Sequence, residues 1–388
     1  MKIIVIIPTY NEKENIQKMI DVLEEEIFPQ IKNHQMEILV VDDNSPDGTA
    51  DVVKEKMKKY SNIHLSLGKK QGLGAAYKRG MKYAMEKMGA AAVIEFDADF
   101  QHDPRYIIDL VEKFDQGYDY VIGSRFVKGG SIPKEWSWYR KLLTIGGGLF
   151  SRFVLFFPQI NKVKDVSTGL KLTRVKGVLD KVDFSQVGNG FFYKTQILYQ
   201  IVKNGAKIIE IPLKFKLREK GESKITFKEV INTFLGVIKL RLNDPTTIRF
   251  LKFAVVGFIG YIINALGLEL FYRLGLSPGP AAGLGAELAI ISNFTLNNLW
   301  TFSEKRITGF KRIIWKFFQF NLTSLGAVIL QWLVVGILAK IFGDQWRQIY
   351  LVIAIGFFVI PYNYSMYNIF IWKTWKVPFL KRIQERIG

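Results

Sequence analysis

Three short segments concentrate the side chains that can do chemistry. Asp97-Ala98-Asp99, with Gln101 two residues further on, places two carboxylates and an amide on one short turn. Such an all-oxygen set suits a hard divalent ion, Mg²⁺ or Mn²⁺, which takes one or two carboxylates and completes its shell with water and substrate phosphate. Pro8-Thr9-Tyr10-Asn11-Glu12 and Val41-Asp42-Asp43-Asn44-Ser45-Pro46-Asp47-Gly48-Thr49 add further acids. Asp43 suits the acceptance of hydrogen bonds from a base or a ribose. Like charges repel, so several acids converging on one place need a cation or hydrogen-bond donors. His102 reads as a local hydrogen-bonding group and is left out of the ligand set. The chain has no Cys and only three His, which excludes disulfides, thiol catalysis and zinc–thiolate sites.

The elements that must position these segments follow from hydrophobic patterning. A chain of 388 residues suits two domains. Up to about Asn243, short apolar runs, mostly β-branched, alternate with helical patterns. The runs are Ile3 to Ile7, Glu37 to Val41, His64 to Leu67, Ala91 to Phe96 and Tyr120 to Gly123. Asn11 and Glu14 read as a capping pair for a first helix with an apolar stripe of Ile16, Met19, Ile20, Leu23 and Ile27. Strands alternating with helices predict a parallel, Rossmann-like α/β sheet. Ligands of such sheets sit at the carboxyl ends of the strands, where the three acidic segments fall. The apolar run after Met1 is too short for a signal peptide, which predicts a cytoplasmic N-terminal domain.

After Asp244-Pro245 the character changes. Segments of about 250–272, 281–302, 317–339 and 349–372 are each long and apolar enough to cross a hydrocarbon core of about 30 Å. Lys305, Arg306, Lys311, Arg312 and Lys316 lie between the second and third segments, and Lys373, Lys376, Lys381, Arg382 and Arg386 follow the fourth. The positive-inside rule then predicts an integral membrane protein with four spans and both termini in the cytoplasm. The net charge of +19 flanks these spans to a large extent, so a nucleic-acid partner is not expected. Two stretches, 136–157 and 225–244, mix aromatic and basic residues as helices of the headgroup layer do. Asn264, Glu269, Glu287, Asn293, Asn297, Asn298 and Gln331 read as residues that join helices, which predicts an anchoring role for the region.

The segments PTYNE, VDDNSPDGT and DADFQH, in this order and spacing, resemble family 2 of the inverting glycosyltransferases with the GT-A fold. Gly68 to Ala76, Gly123-Ser124-Arg125, Ser167-Thr168-Gly169 and Arg218 to Lys224 narrow the resemblance to polyprenyl-phosphate sugar synthases, the mannose-transferring ones above all. The likeness covers roughly residues 1 to 230; the apolar region resembles the GtrA-like four-helix domain by helix count and position. The resemblance implies a GT-A catalytic domain over 1–224 with an amphipathic acceptor segment at 136–157. It also implies an interface helix over 225–244 and an all-α four-helix transmembrane domain over 245–388.

It further implies the binding roles. Pro8, Tyr10, Glu12, Val41 and Asp43 match positions lining the nucleotide pocket. Asp97, Ala98, Asp99 and Gln101 match the diphosphate segment, with Asp97, Asp99 and Gln101 as metal ligands and Asp99 and Arg125 as catalytic residues. Arg218 and Lys224 match basic positions around the donor phosphates. Arg125, and Arg140 at the start of the Trp-rich stretch, are expected at the acceptor phosphate, since Arg offers phosphate a bidentate fork. The implied partners are GDP-mannose, dolichyl or another polyprenyl phosphate and the lipid bilayer, with no obligatory protein partner. The stretch Gly188-Asn189-Gly190-Phe191 offers no acid, which fits a phosphate acceptor that is already anionic near pH 7. A glucose-transferring synthase using UDP-glucose shares these motifs, and a flippase of lipid-linked sugars is the rival of another class.

Overall fold

The computed structural model describes residues 1–156, 160, 162–217 and 227–375. The chain forms two compact units, Met1–Arg241 and Leu242–Gly388.

The first unit is built on one sheet. Its strands are β1 (Lys2–Thr9), β2 (Gln35–Asp42), β3 (Ile63–Leu67), β4 (Ala92–Glu95), β5 (Tyr120–Ser124), β6 (Lys171–Arg174) and β7 (Ile208–Pro212). They lie in the order β3-β2-β1-β4-β6-β5-β7. β1 pairs in parallel with both β2 and β4, and Ile3 to Ile7 are fully buried. A central parallel strand is covered on both faces, so an unbroken apolar run is what it requires. β6 departs from the expected parallel arrangement: it runs antiparallel between β4 and β5. The result is a mixed sheet with the acids of β1, β2 and β4 at one edge.

Helices α1 (Lys13–Val22), α2 (Thr49–Lys59), α3 (Leu73–Glu86), α4 (Tyr106–Asp115), α5 (Trp138–Leu155), α6 (Tyr193–Lys203) and α7 (Phe227–Leu242) complete the unit. One apolar layer contains Ile16, Met19, Ile20, Leu110 and Phe114. The other contains Tyr77, Met81, Tyr193, Ile197 and Ile201. Each such side chain, when fully buried, contributes roughly 1.5–3 kcal/mol relative to exposure. Gly80 lets α3 approach the sheet, since a Cβ there would come within 2.6 Å of Ile6 Cγ2 and 2.9 Å of Val41 Cγ2.

The start of α1 differs from the sequence reading. Asn11 adopts a left-handed conformation (φ 57°), and Glu12 occupies the cap position without a side-chain cap bond. The N–H groups of Asn11, Glu12 and Lys13 instead donate to Ser45 Oγ (3.0 Å), Thr49 Oγ1 (3.1 Å) and Asp47 Oδ2 (3.1 Å). The loop after β2 therefore caps the helix after β1. Asp47 Oδ1 also accepts from the N–H (3.0 Å) and hydroxyl (2.6 Å) of Thr49. Buried Asp42 accepts from Thr9 Oγ1 (2.8 Å), Ser45 N–H (2.8 Å) and Ser45 Oγ (2.6 Å). These two acids of the VDDNSPDGT segment hold the loops together.

The second unit contains α8 (Pro245–Arg273), α9 (Pro278–Leu296), α10 (Phe310–Phe342), α11 (Arg347–Ile353) and α12 (Ile360–Met366). α8 and α10 are long and apolar enough to cross a membrane. π-helical turns extend α9 through Thr301, join α11 to α12 and carry the chain on to Ile371. Phe258, Tyr261, Leu266, Val328, Trp332 and Phe357 are exposed on these helices. The core is aromatic, with Phe302 stacked on Trp372 at 4.3 Å. Buried Asn298 exchanges two hydrogen bonds with the backbone of Ile307 and accepts from Trp372 Nε1 (3.1 Å). Of the polar residues expected to join helices, Asn298 does so, whereas Glu269 accepts from Arg273 of its own helix.

Asp47→Ala removes acceptors from two helix starts at once. It is expected to destabilise the first unit by about 1–2 kcal/mol, read as a lowered denaturant midpoint of the full chain in detergent.

Candidate active site

The acidic segments meet at the carboxyl ends of β1, β2 and β4. Thr9 stands beside Asp42 in the sheet register. Tyr10, half-buried, carries Lys70 Nζ 3.4 Å from its ring centroid. Glu12 accepts from Asn15 Nδ2 at 2.7 Å. Asp43 is buried, and its Oδ1 accepts from Arg79 Nη2 at 2.8 Å. That guanidinium lies over Gly68, where a Cβ would stand 2.4 Å from Arg79 Cζ. Pro8 is partly exposed at the strand end, while the Val41 side chain is wholly in the core.

The turn after β4 holds the carboxylate pair. Asp97 Oδ1 accepts from the Tyr77 hydroxyl at 2.8 Å. Asp99 is buried, and its Oδ1 accepts the N–H of Gln101 at 3.1 Å across Phe100, whose φ is 57°. Gln101 is anchored to the strand end after β7, exchanging bonds with the backbone of Lys216. Ala98 is buried in the core. Among the described residues, no three His, Asp or Glu side chains are grouped to hold a metal by themselves. Two carboxylates and an amide on one turn nevertheless fit a small hard cation that takes the rest of its shell from phosphate and water.

The basic residues are placed differently from one another. Arg125, after β5, is buried and gives Nε and Nη2 to the two oxygens of Asp165 (2.7 Å each), with a further bond from Nη2 to Ser167 Oγ (2.9 Å). Burial pushes the Asp165 carboxyl up, but Arg125 and the backbone donors outweigh it and hold it below the usual carboxylate range. Arg125 is thus a neutralised fork, where the sequence predicts a guanidinium open to phosphate. Its Cζ lies 5.5 Å from the Phe215 ring, Phe215 packs edge-on against Trp136 (5.7 Å), and Arg140 Cζ lies 3.9 Å over Trp136. One aromatic ladder thereby links Arg125 and Arg140. Trp136 is buried just ahead of α5 and is not part of its exposed face, which carries Trp138, Leu142, Leu149 and Phe153. Phe126, Ile145, Gly148, Leu149, Arg152 and Lys164 line a cavity of about 210 Å³ beside it. Arg218 and Lys224 lie outside the described residues.

Behind the turn is a buried polar layer that sequence reasoning missed. Tyr193 donates to Glu95 Oε2 at 2.8 Å and stacks on Tyr77 at 5.3 Å. Burial raises both phenols well above their ordinary range, so they stay protonated. Lys171, opposite Glu95 in the β4–β6 pair, is buried with no hydrogen-bond partner for its ammonium among the described residues, and burial pushes it down to about 8 against the pull of Glu95. His102 is pushed down to about 4 by burial and is neutral near pH 7. Lys194 of α6 is buried as well. The available signal is a single charged residue in the run Phe191 to Val202. The acid-free loop 188–191 also has a neighbour from α7: Glu229 Oε2 would stand 2.8 Å from a Cβ on Gly190.

Comparison with known proteins agrees with this arrangement. Residues 4–179 match the model of glycosyl transferase family 2, and residues 252–372 match the GtrA/DPMS transmembrane domain. A dolichol-phosphate mannosyltransferase of Pyrococcus furiosus is 35% identical over 345 residues, which span 87% of this chain and 91% of that protein. The chain belongs to glycosyltransferase family 2. A polyprenol monophosphomannose synthase of Mycolicibacterium smegmatis is 35% identical over 226 residues, 58% of this chain and 80% of its own length. Among solved structures, a glucosyl-3-phosphoglycerate synthase of Mycobacterium tuberculosis covers 62% of this chain and 78% of its own at 16% identity and a TM-score of 0.45. That likeness is too remote to carry any inference. The glycosyltransferase is a membrane protein with a GT-A-like catalytic unit and a helical GtrA/DPMS region.

Breaking the buried pair at Asp165 leaves Arg125 uncompensated. Asp165→Asn is expected to cost about 3 kcal/mol at pH 7 in unfolding of the full chain. Because the folded carboxyl is held low, wild type keeps this advantage above the ordinary carboxylate value and loses it only as pH falls through the lower, folded one. A gap between variant and wild type that closes already near pH 6 would contradict the pairing.

Proposed function

We propose that this glycosyltransferase moves mannose from GDP-mannose to dolichyl or another polyprenyl phosphate, with inversion, giving the β-mannosyl phosphate lipid and GDP at the cytoplasmic membrane face. The observation that carries the reading is one chain joining an acidic, phosphate-suited strand edge to long apolar helices. The 35% identity across nearly its whole length to a protein named dolichol-phosphate mannosyltransferase supports it. Four spans with both termini cytoplasmic belong to the same proposal.

Asp99, Asp97 and Gln101 would hold a divalent ion, Mg²⁺ or Mn²⁺, which supplies Lewis-acid neutralisation of the leaving diphosphate. Tyr77 orients Asp97, and the turn's own N–H orients Asp99. Tyr10 and Asp43 bind the nucleoside. Arg140 meets the acceptor phosphate, while Arg125, fixed by Asp165, supports the aromatic ladder beneath it. The exposed apolar face of α5 suits a lipid headgroup layer. An acceptor phosphate is already anionic, so positioning and electrostatics suffice.

Purified enzyme given GDP-mannose and UDP-glucose in parallel is expected to label the lipid from GDP-mannose; labelling only from UDP-glucose overturns the sugar assignment. Asp99→Ala is expected to abolish transfer with metal present and to leave the helical unit folded by circular dichroism. Glu229→Gln is expected to keep activity within about tenfold of wild type, short of the roughly 10²–10⁴-fold that a general base contributes. A loss in that larger range would point to a hydroxyl acceptor.

A further inference from the structure

The reading above uses Tyr77 as the donor that orients Asp97 and gives no part to Tyr193 behind it. Glu95 ends β4, and Asp97 follows two residues later. Residues two apart in extended backbone face the same way, and both acids meet a phenol of the same core layer. Tyr193 donates to Glu95 Oε2 and Tyr77 to Asp97 Oδ1, each at 2.8 Å. The two rings stack, with centroids 5.3 Å apart and planes 22° from parallel. One aromatic pair, drawn from α3 and α6, thus grips both carboxylates of the strand end.

The hydroxyl and the ring of Tyr193 do separable things. The hydroxyl meets buried Glu95, and a buried acceptor left unmet costs stability. The ring backs the ring of Tyr77, and aromatic stacking is directional as well as apolar. Both tyrosines are fully buried, and the N–H of Tyr193 donates to Gly190 O at 3.2 Å, so the backing ring starts from a tied backbone. Asp97 itself is partly exposed, so it stays accessible while Tyr77 holds its Oδ1 from inside. A carboxylate whose partners fix its direction is a better metal ligand than one free to turn, and the partners of a ligand tune its affinity for the ion.

We propose that Tyr193 is a positioning residue for the divalent-ion ligand Asp97, acting through the ring of Tyr77. This rests on the metal-assisted reading above and extends it to a residue one ring removed from the carboxylate.

The test measures ion binding and not turnover. Mn²⁺ is titrated into the full chain in detergent with saturating GDP, and the free ion is read by electron paramagnetic resonance. Tyr77→Phe keeps the stack and removes the bond to Asp97; it is expected to weaken Mn²⁺ binding roughly 10- to 100-fold. Tyr193→Leu keeps the Tyr77 hydroxyl and removes the ring behind it; a loss of roughly 10-fold or more is expected. Tyr193→Phe restores that ring without its hydroxyl. Its melting temperature is expected to fall, because Glu95 Oε2 is left unmet, while its Mn²⁺ affinity stays within about threefold of wild type. The double variant Tyr77→Phe/Tyr193→Leu is expected to bind no more weakly than Tyr77→Phe, since both changes act on one bond. Wild-type affinity in Tyr193→Leu overturns the inference. So does an equal loss in Tyr193→Phe and Tyr193→Leu, which makes the effect one of lost stability. Tyr193→Met takes the place of the leucine variant if that one does not fold. Should wild type bind Mn²⁺ with neither GDP nor UDP, the metal reading itself fails and this inference falls with it.

Discussion

Carboxylates gathered at one edge of a sheet repel each other and any diphosphate brought to them. The first unit tolerates the acids around this edge because they are met by donors. Asp42 takes Thr9 and Ser45, Asp43 takes Arg79, Glu95 takes Tyr193, Asp97 takes Tyr77, and Asp165 takes Arg125. Several of these donors are buried, where an unmet charge costs far more than it does in water. The carboxylates are therefore held in set directions before any substrate arrives. Preorganisation of this kind is what electrostatic catalysis at a diphosphate asks of a protein.

The same pairing ties distant segments into one frame. Tyr77 sits on α3, whose first turn abuts the 188–190 loop so closely that a Cβ at Gly72 or Gly74 would come within 2.6 Å of a carbonyl oxygen there. Lys78 of the same helix donates to Val187 O and Asn189 Oδ1, both at 2.7 Å. Tyr193 and Lys194 begin the helix that follows this loop. The turn proposed to face the donor and the loop expected on the acceptor side thus share a backbone support, and movement of one is resisted by the other.

Much of this is legible in the sequence for definite reasons. Five strands announce themselves as apolar β-branched runs, and parallel topology makes those runs continuous. The acidic segments stand out because they follow such runs directly. β6 does not: Lys171-Leu172-Thr173-Arg174 is short and half charged, and only its antiparallel place between β4 and β5 makes it a strand. Local pattern points to Asn11 as the α1 cap, whereas the acceptors come from another loop, more than thirty residues away. Arg125 and Asp165 are forty residues apart, so local pattern gives no hint that the guanidinium is already satisfied. Lys194 has no motif of its own, and only the fold shows that it is buried near Gly169.

The proposed reaction is a single inverting displacement at mannose C1, in which an oxygen of the lipid phosphate forms the new bond and GDP leaves. Its most direct test is the anomeric configuration of the product formed from ¹³C-labelled GDP-mannose and a polyprenyl phosphate, read by the one-bond carbon–hydrogen coupling at C1. The account predicts a β-mannosyl phosphate ester on the lipid. An α-linked product, or mannose joined to anything other than the acceptor phosphate, would contradict it.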